Sequence, residues 1–356
     1  MKCDAETAAW IELSLVPQLG PAAFRELLKA FGLPSEILRA GRSRLAKVVS
    51  DPIAEQIGMR AQRSAVDRAL AWLEPDGRSL VTLAENTYPP QLLQIPDPPA
   101  LLYVLGDARL LSRPSLAIVG SRNATPQGRA NAENFARALS DAGLAIVSGL
   151  ALGIDAAAHR GALQGAGGTV AILGCGADVV YPRANEALAR EIASRGAIVS
   201  EFPLGAPPLA DHFPRRNRVI SGIAQGCLVV EAALASGSLI TARLSAEQGR
   251  EVFAVPGSIH SPLSRGCHAL IKQGAKLVED ASDVLAELGL PRAEAVPKVL
   301  AQEGGLIQYM GFEPCDADSL ARRSGLTAEA VSAMLSQLEL EGRVGCLPGG
   351  LYQRIS

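Results

Sequence analysis

Arginines and glycines follow several short apolar runs of this chain, at positions where a buried strand would end. Gly120-Ser121-Arg122 follows one such run, and Phe213-Pro214-Arg215-Arg216-Asn217-Arg218 is the densest basic cluster in the sequence. Arginine contacts phosphate through paired N–H donors and also stacks on rings and bases. Glycine lets an anion approach the backbone, and a following helix start supplies free amides. These residue types predict contact with a phosphate-bearing strand.

Two further turns carry the same pattern. Gly149 opens the glycine-rich turn 149–155, and Gly174 and Gly176 flank a cysteine shortly before Tyr181 and Arg183, which would supply a stacking ring and a phosphate cation. The predicted single-strand contacts are Gly120, Ser121, Arg122, Gly149, Gly174, Gly176, Arg183, Phe213, Arg215, Arg216, Asn217 and Arg218. A solvated arginine on a tight turn, or a solvated charged helix face, is the alternative interpretation of each arginine.

Candidate catalytic residues lack partners in the sequence. Asp155 and His159 are spaced i,i+4, so Asp155 would cap a helix or hold the imidazole, and neither is paired with a nucleophile. Cys175 has no identifiable base, and a small buried residue is the simpler interpretation. The six cysteines include no C-x-x-C pair. We therefore expect no catalysis, no metal site and no cofactor.

Composition restricts the function classes. The net charge is −2 over 356 residues, so a nucleic-acid partner would need a local basic patch. No apolar run approaches the roughly 18 residues of a membrane helix, and the first residues lack the pattern of a secretory signal. Together with free thiols, these features predict a cytoplasmic protein without membrane contact.

The elements that must position these turns fall into three blocks. Residues 1–74 predict a helical domain, 75–290 an α/β domain and 297–356 a helix–turn–helix with a hairpin, which is a winged-helix pattern. In the middle block, short apolar runs alternate with helical patterns, which is typical of a doubly wound parallel sheet. The predicted strands are 101–105, 116–119, 145–148, 170–173, 197–200, 227–230, 252–255 and 276–278.

The order of these motifs resembles the DNA-processing protein A (Smf/DprA) family over about residues 80–285. The matching positions are Gly120-Ser121-Arg122, 149–155 with His159, Gly174-x-Gly176 with Tyr181-Pro182, Ser200-Glu201, the 213–218 cluster with Ile220-Ser221-Gly222, Glu231-Ala232 with Ser236-Gly237, Val255-Pro256-Gly257, Gly266 and 270–275. The resemblance implies an extended Rossmann-like domain between an N-terminal sterile-alpha-motif-like or helix-hairpin-helix unit and a C-terminal winged helix.

The same resemblance implies a function and partners. It implies binding of single-stranded DNA, and of duplex more weakly, by a homodimer formed through the Rossmann-like domain. It further implies that the protein protects incoming DNA during natural transformation and helps load RecA recombinase onto it. In the N-terminal hairpin, Gln18 stands where the first glycine of a helix-hairpin-helix is usual, so we do not expect that hairpin to bind phosphate. Residues 291–356 carry six basic and eight acidic residues, so we expect packing or protein contact there rather than major-groove reading.

Three alternatives remain open at this point. A nucleotide phosphoribohydrolase of the cytokinin-activating LOG family would need a Pro-Gly-Gly-x-Gly-Thr-x-x-Glu loop, but the comparable turn is Glu231-Ala232-x-x-x-Ser236-Gly237. A dinucleotide-dependent oxidoreductase would need the G-x-G-x-x-G fingerprint. A winged-helix transcription regulator would need a basic recognition helix, whereas the predicted one carries Glu329 and Glu339.

Overall fold

The computed structural model describes residues 5–291 and 305–355. Its first part is a bundle of six short helices, and three of them begin at a proline or one residue before it, where the missing N–H costs nothing. Trp10 and Phe24 stack at 5.5 Å in its core, which continues onto Leu101 and Tyr103 of the neighbouring sheet. The helices are α1 (Ala5–Ser14), α2 (Pro21–Phe31), α3 (Pro34–Arg39), α4 (Arg42–Leu45), α5 (Asp51–Met59) and α6 (Arg63–Leu73).

A nine-stranded sheet forms the centre of the protein. Its strands are β1 (Arg78–Thr82), β2 (Leu101–Gly106), β3 (Ser115–Val119), β4 (Ala145–Ser148), β5 (Thr169–Ile172), β6 (Ala197–Ser200), β7 (Gly226–Val229), β8 (Glu251–Ala254) and β9 (Lys276–Leu277). They lie in the order β1-β2-β6-β5-β4-β3-β7-β8-β9. In this spatial order, the seven strands that run from β6 across to β9 are parallel to one another. β2 pairs antiparallel with both β1 and β6.

Helices cover both faces of this sheet, so its inner strands are apolar without alternation. Every residue of β3, β4 and β5 is buried. The helices are α7 (Pro126–Asp141), α8 (Ile154–Leu163), α9 (Glu186–Arg195), α10 (His212–Ile223), α11 (Ser238–Glu247), α12 (Arg265–Lys272) and α13 (Ala281–Glu287), with 3-10 turns at Leu92–Gln94, Ala108–Ser112 and Arg183–Asn185. The predicted doubly wound α/β class is confirmed.

The strand order creates a switch point at the middle of the sheet. β3 pairs with β4 on one side and with β7 on the other. The chain therefore leaves the carboxyl ends of β3 and β7 in opposite directions, and the two connections leave a crevice between them. Open α/β sheets bind their ligands at such a place.

The C-terminal part, residues 305–355, is a small winged-helix unit whose β-hairpin packs on the start of α7. A Cβ added at Gly345 would lie 2.6 Å from Pro126, so the contact is close. Its elements are a 3-10 turn (Gly305–Tyr309), β10 (Cys315–Asp316), α14 (Ala317–Ser324), α15 (Ala328–Leu340), β11 (Val344–Leu347) and β12 (Leu351–Arg354), with strand order β10-β12-β11. The helix predicted to open this block lies outside the described residues.

Two strands differ from the sequence-based expectation. Neither β1 nor β10 was among the predicted strands, because edge strands that begin with polar residues or have only two residues carry little apolar signal. The strands β5, β7 and β8 begin and end one residue before their predicted bounds. Within the described parts of the chain, the helices are too short or too polar to cross a membrane.

Candidate nucleic-acid interface

The switch-point crevice is a cavity of about 700 Å³ at the carboxyl ends of β3 and β7. Three segments form its walls: the turn after β3 at 120–123, the first turns of α10, and the turn 233–238 that leads into α11. The crevice brings together six of the twelve predicted site residues, namely Gly120, Ser121, Arg122, Phe213, Arg216 and Asn217. Gly149, Gly174, Gly176, Arg183, Arg215 and Arg218 do not line it.

An exposed arginine and the Phe213 ring form one edge of the crevice, and the Tyr181 ring lies next to Phe213. The guanidinium carbon of Arg122 lies 5.6 Å from the centroid of the Phe213 ring. The Tyr181 ring, 44% exposed, lies 5.7 Å from Phe213 at an angle of 42°. Arg122 is exposed and forms no ion pair with any carboxylate of residues 5–291 or 305–355. Its donors are therefore available to a phosphate, and the rings offer faces on which a base can stack.

Arg216 has a different environment from the one expected. It is 5% exposed, and its Nη1 donates to the Gly149 carbonyl at 2.7 Å and to the Ile172 carbonyl. Its Nε donates to Oδ1 of Asn217 at 3.1 Å. Burial lowers the pKa of Arg216 to about 10, an effect that the nearby Asp155 carboxylate opposes. The prediction of an open phosphate contact is corrected: this guanidinium ties the strand ends together beneath the crevice.

Arg218 and Arg215 also have protein partners. Arg218, with its side chain 11% exposed, contacts the Glu201 carboxylate, which is 3% exposed, and the Asp97 carbonyl. Arg215 is half exposed, lies 3.2 Å from the same Glu201 oxygen and covers the Phe202 ring at 5.3 Å. A basic cluster without neighbouring acids was expected. The acids come instead from distant parts of the chain, so Arg218 acts as a structural cation.

The glycine turns serve packing more than anion approach. A Cβ added at Gly149 would lie 2.5 Å from the Arg216 guanidinium, and one added at Gly174 would lie 2.9 Å from the Phe213 ring. The carboxylate of Asp155 accepts the amides of Gly149 and Ala151 at 3.1 and 3.3 Å. The space and the amides predicted for a phosphate are thus used by the protein itself.

The same holds at the turn after β3. The Ser121 amide donates to the Glu231 carbonyl at 2.7 Å, and the Glu231 carboxylate accepts the Thr125 amide at 3.0 Å and its hydroxyl at 2.6 Å. A Cβ at Gly120 would lie 2.8 Å from that Glu231 carbonyl, and one at Gly176 would lie 2.6 Å from the Asp178 carboxylate. The backbone amides expected to bind a phosphate at this turn are therefore occupied, and the donors that remain are side chains, chiefly Arg122.

Asp155 was expected either to cap a helix or to hold His159, and it does neither, because its carboxylate accepts the amides of Gly149 and Ala151. His159 is fully buried, and its Nδ1 lies 2.7 Å from the Thr169 hydroxyl, which itself donates to the Ile146 carbonyl. Nδ1 therefore carries the proton, and burial lowers the pKa of His159 to about 3. Burial likewise raises the pKa of Cys175 to about 11. Neither group is activated for acid–base or nucleophilic chemistry at neutral pH.

Hydroxyls on the third wall of the crevice were not among the predicted contacts. Ser236, Ser238 and Thr241 line it at the start of α11, facing the α10 wall that holds Asn217. In the sequence, small hydroxyls and a glycine at a helix start already indicate a place that suits an anion, although these residues are not in the set of twelve. This wall gives the crevice a polar side opposite its aromatic edge.

Fold and site together define a doubly wound α/β protein with a cationic, aromatic-edged crevice at its switch point and an appended winged helix. Residues 79–289 match the family described as DNA recombination-mediator protein A, and residues 290–350 match the DprA winged helix domain. The chain therefore belongs to the DNA recombination-mediator protein A family, and the resemblance seen in its motifs is confirmed.

Named relatives agree with this membership. Protein Smf of Escherichia coli (strain K12) is 44% identical over 306 residues, which is 82% of each chain. The X-ray structure of DNA processing protein A from Streptococcus pneumoniae superposes with a TM-score of 0.70 at 37% identity, covering 81% of this chain and 99% of that one. The structure of DNA processing protein A from Helicobacter pylori, reported for its single-stranded DNA binding mode, gives a TM-score of 0.54 at 32% identity over 59% of this chain and 95% of that one.

Proposed function

We propose that this protein binds single-stranded DNA in the switch-point crevice. The observation that carries the proposal is the exposed Arg122 guanidinium, without an ion pair among the described residues, beside the Phe213 and Tyr181 rings. The single-stranded DNA binding reported for the Helicobacter pylori relative supports the choice of ligand. The function of the family in DNA processing supports it as well.

The chemistry of the edge fits a single strand better than a duplex. A single strand exposes the faces of its bases, and stacking on an aromatic ring contributes about 1–3 kcal/mol per base. A duplex hides these faces in its stack, so it would retain only the phosphate contact. Because Arg216 and Arg218 bind other parts of the protein, Arg122 is the main cation proposed to contact DNA at the crevice. Arg183, which is exposed in the turn after Tyr181, would contact a further phosphate of the strand. In the proposed binding, base stacking on the rings therefore contributes more than ion pairs with phosphate.

We further propose the roles that the family resemblance implies. The bound strand would be incoming DNA in natural transformation, which the protein would protect and help to coat with RecA recombinase, acting as a homodimer through the α/β domain. Catalysis is not part of the proposal, because His159 and Cys175 are held in inactive protonation states. The acidic α15 supports a packing or protein-contact role for the winged helix, with Glu329 and Glu339 on that helix.

The test compares Arg122→Ala with Arg113→Ala. Both arginines are exposed, and they flank the same strand: Arg113 precedes the amino end of β3, while Arg122 follows its carboxyl end at the crevice. Arg122→Ala should weaken binding of a labelled oligothymidine roughly tenfold or more, because it removes a charge-assisted contact. It should also flatten the dependence of log affinity on log salt by about 0.7, the share of one phosphate of a single strand.

Fluorescence anisotropy over a salt series measures both quantities. Arg113→Ala should leave affinity and slope close to those of the wild type, because that side chain lies at the amino end of β3, the end opposite the crevice. Equal behaviour of the two variants, with both correctly folded, would show that the crevice is not where the strand binds.

A further inference from the structure

The α11 wall of the switch-point crevice has a chemistry of its own. We propose that it binds a phosphate group of a nucleotide, held by Ser236, Ser238 and Thr241. The inference rests on the proposed function, since the strand in the same crevice is one source of that phosphate. It adds a specific contact on the side opposite Arg122.

The first observation is the start of α11, a helix of ten residues that begins at Ser238 after Gly237. The amides of Leu239 and Ile240 donate to the carbonyls of Ser236 and Gly237, and the Ser238 amide donates to the Ser236 hydroxyl at 3.3 Å. The donors that this end offers to a ligand are therefore side-chain hydroxyls, and the helix dipole adds partial positive charge there. The hydroxyls of Ser236 and Ser238 lie 2.7 Å apart. One of these O–H groups donates to the other, which leaves the second free to donate outward to an acceptor.

The second observation is independent of the helix end. Thr241 is 1% exposed, yet it lines the crevice, and within the described parts of the chain its hydroxyl forms no hydrogen bond. Buried hydroxyls are nearly always paired, so this group is arranged for a partner that enters the crevice. An oxygen of a bound phosphate would satisfy it. Thr241 lies one turn inside the helix from Ser238, which places both hydroxyls on the same face.

The charges around the crevice favour an anion. Among the described lining residues the one carboxylate is Asp155, whose oxygen accepts two backbone amides and which lies beside the Arg216 guanidinium. Arg122 at the opposite edge is not neutralised in this way. Donors from several directions suit the tetrahedral oxygens of a phosphate, and about 700 Å³ is ample room for one nucleotide.

Two sources would present the same group. One is an internal phosphodiester of the bound strand, and the other is a phosphate monoester, either at the end of a strand or on a free mononucleotide. Replacing single phosphates by uncharged methylphosphonates along an oligothymidine locates an internal contact. Comparing oligonucleotides with and without a 5′-phosphate, and adding thymidine monophosphate as competitor, locates a monoester.

The test uses the full chain with Thr241→Val, Ser236→Ala and the control Ser245→Ala. Ser245 lies one turn further along α11 and is also buried, but it does not line the crevice. Thr241→Val should weaken oligothymidine binding about fivefold to tenfold, since the lost bond is to a charged group. Ser236→Ala, at the rim, should act in the same direction even if Thr241→Val proves poorly folded. Ser245→Ala should bind within about twofold of the wild type.

A particular pattern of non-additivity identifies the phosphate. If a methylphosphonate at one internal position weakens binding to the wild type but not to Thr241→Val, the subsite binds an internal phosphodiester. If Thr241→Val instead loses the preference for a 5′-phosphate, and thymidine monophosphate displaces the oligothymidine from the wild type, the subsite binds a monoester. If the effects of Thr241→Val and of each phosphate replacement simply add, while Arg122→Ala still weakens binding, the phosphate subsite is overturned and the DNA-binding proposal stands. Unchanged binding in Arg122→Ala and in both α11 variants overturns the two proposals together.

Discussion

Replacing Arg216 with methionine should destabilise the α/β domain. The side chain is 5% exposed, donates to the carbonyls of Gly149 and Ile172, and lies beside the buried Asp155 carboxylate. Removing it leaves two carbonyls without a donor and one carboxylate without its counter-charge. Methionine fills a similar volume, so the main effect is electrostatic rather than a cavity.

The magnitude follows from removing the donor to two buried carbonyls together with the positive charge nearest to a buried carboxylate. These losses together cost about 3–5 kcal/mol, since buried acceptors lose their donor and a buried charge loses its compensation. For a domain of roughly 150–250 residues, each kcal/mol lowers Tm by about 2–4 °C. The expected fall is therefore roughly 6–20 °C. Adding Asp155→Asn to Arg216→Met should recover part of it, since the unpaired charge is then removed.

Thermal unfolding followed by circular dichroism measures the fall in Tm, and anisotropy well below Tm measures DNA binding. Arg122→Met is the matched control: it should leave Tm within about 2 °C of the wild type and lose most of the DNA affinity, because Arg122 is exposed. A wild-type Tm for Arg216→Met together with a large loss of DNA affinity would refute the structural role of this arginine and restore it as a DNA contact.

Three further predictions follow from the same geometry. His159 has a pKa of about 3 when folded and about 6.5 when unfolded, so its share of stability falls as pH drops below 6.5, and urea unfolding should show about 2 kcal/mol more loss from pH 7 to pH 5 in the wild type than in His159→Gln. Gly174→Ala places a methyl 2.9 Å from the Phe213 ring and should weaken oligothymidine binding several-fold by displacing it. Deletion of 297–356 should leave single-strand affinity within a few-fold in the same assay, and a hundredfold loss would contradict the view of α15 given above.

The fold could be predicted from the sequence because buried parallel strands have a strong apolar signal. The bounds of β4 and β6 match the expectation at both ends, since each is a run of three apolar residues closed by a serine. β1 was missed because it begins with Arg78 and Ser79 and lies at the sheet edge, where burial is partial. Edge strands depend on a partner strand that the local sequence does not reveal.

The candidate site was harder to predict because a helix turns neighbouring residues in different directions. Residues 215–218 lie in α10, where successive side chains differ by about 100°. Arg216 shares the inner face with Val219, Ile220 and Ile223, and this spacing was the signal that it points inward. The partners of Arg218, Asp97 and Glu201, come from other elements and could not be inferred from local charge counts.

The glycine turns show the same limit. A sequence indicates where a Cβ is absent, but not what occupies the space. At Gly149 the occupant is the Arg216 guanidinium, and the nearby amides donate to Asp155. Only the folded chain reveals that these turns, which resemble anion-binding sites in the sequence, are filled by the protein's own side chains. Arg122 is exposed, as its position on a turn indicates, and its contact with DNA stays a prediction.

Photo-crosslinking tests the location of the strand most directly. An oligothymidine that carries 5-iododeoxyuridine, irradiated in complex with the full chain and mapped by peptide mass spectrometry, reports the side chains against which bases stack. Binding in the switch-point crevice predicts crosslinks at Phe213, whose ring lines it, and at Tyr181, whose ring lies 5.7 Å from that of Phe213. Crosslinks confined to the N-terminal helices or to residues 305–355, with neither ring labelled, would contradict it.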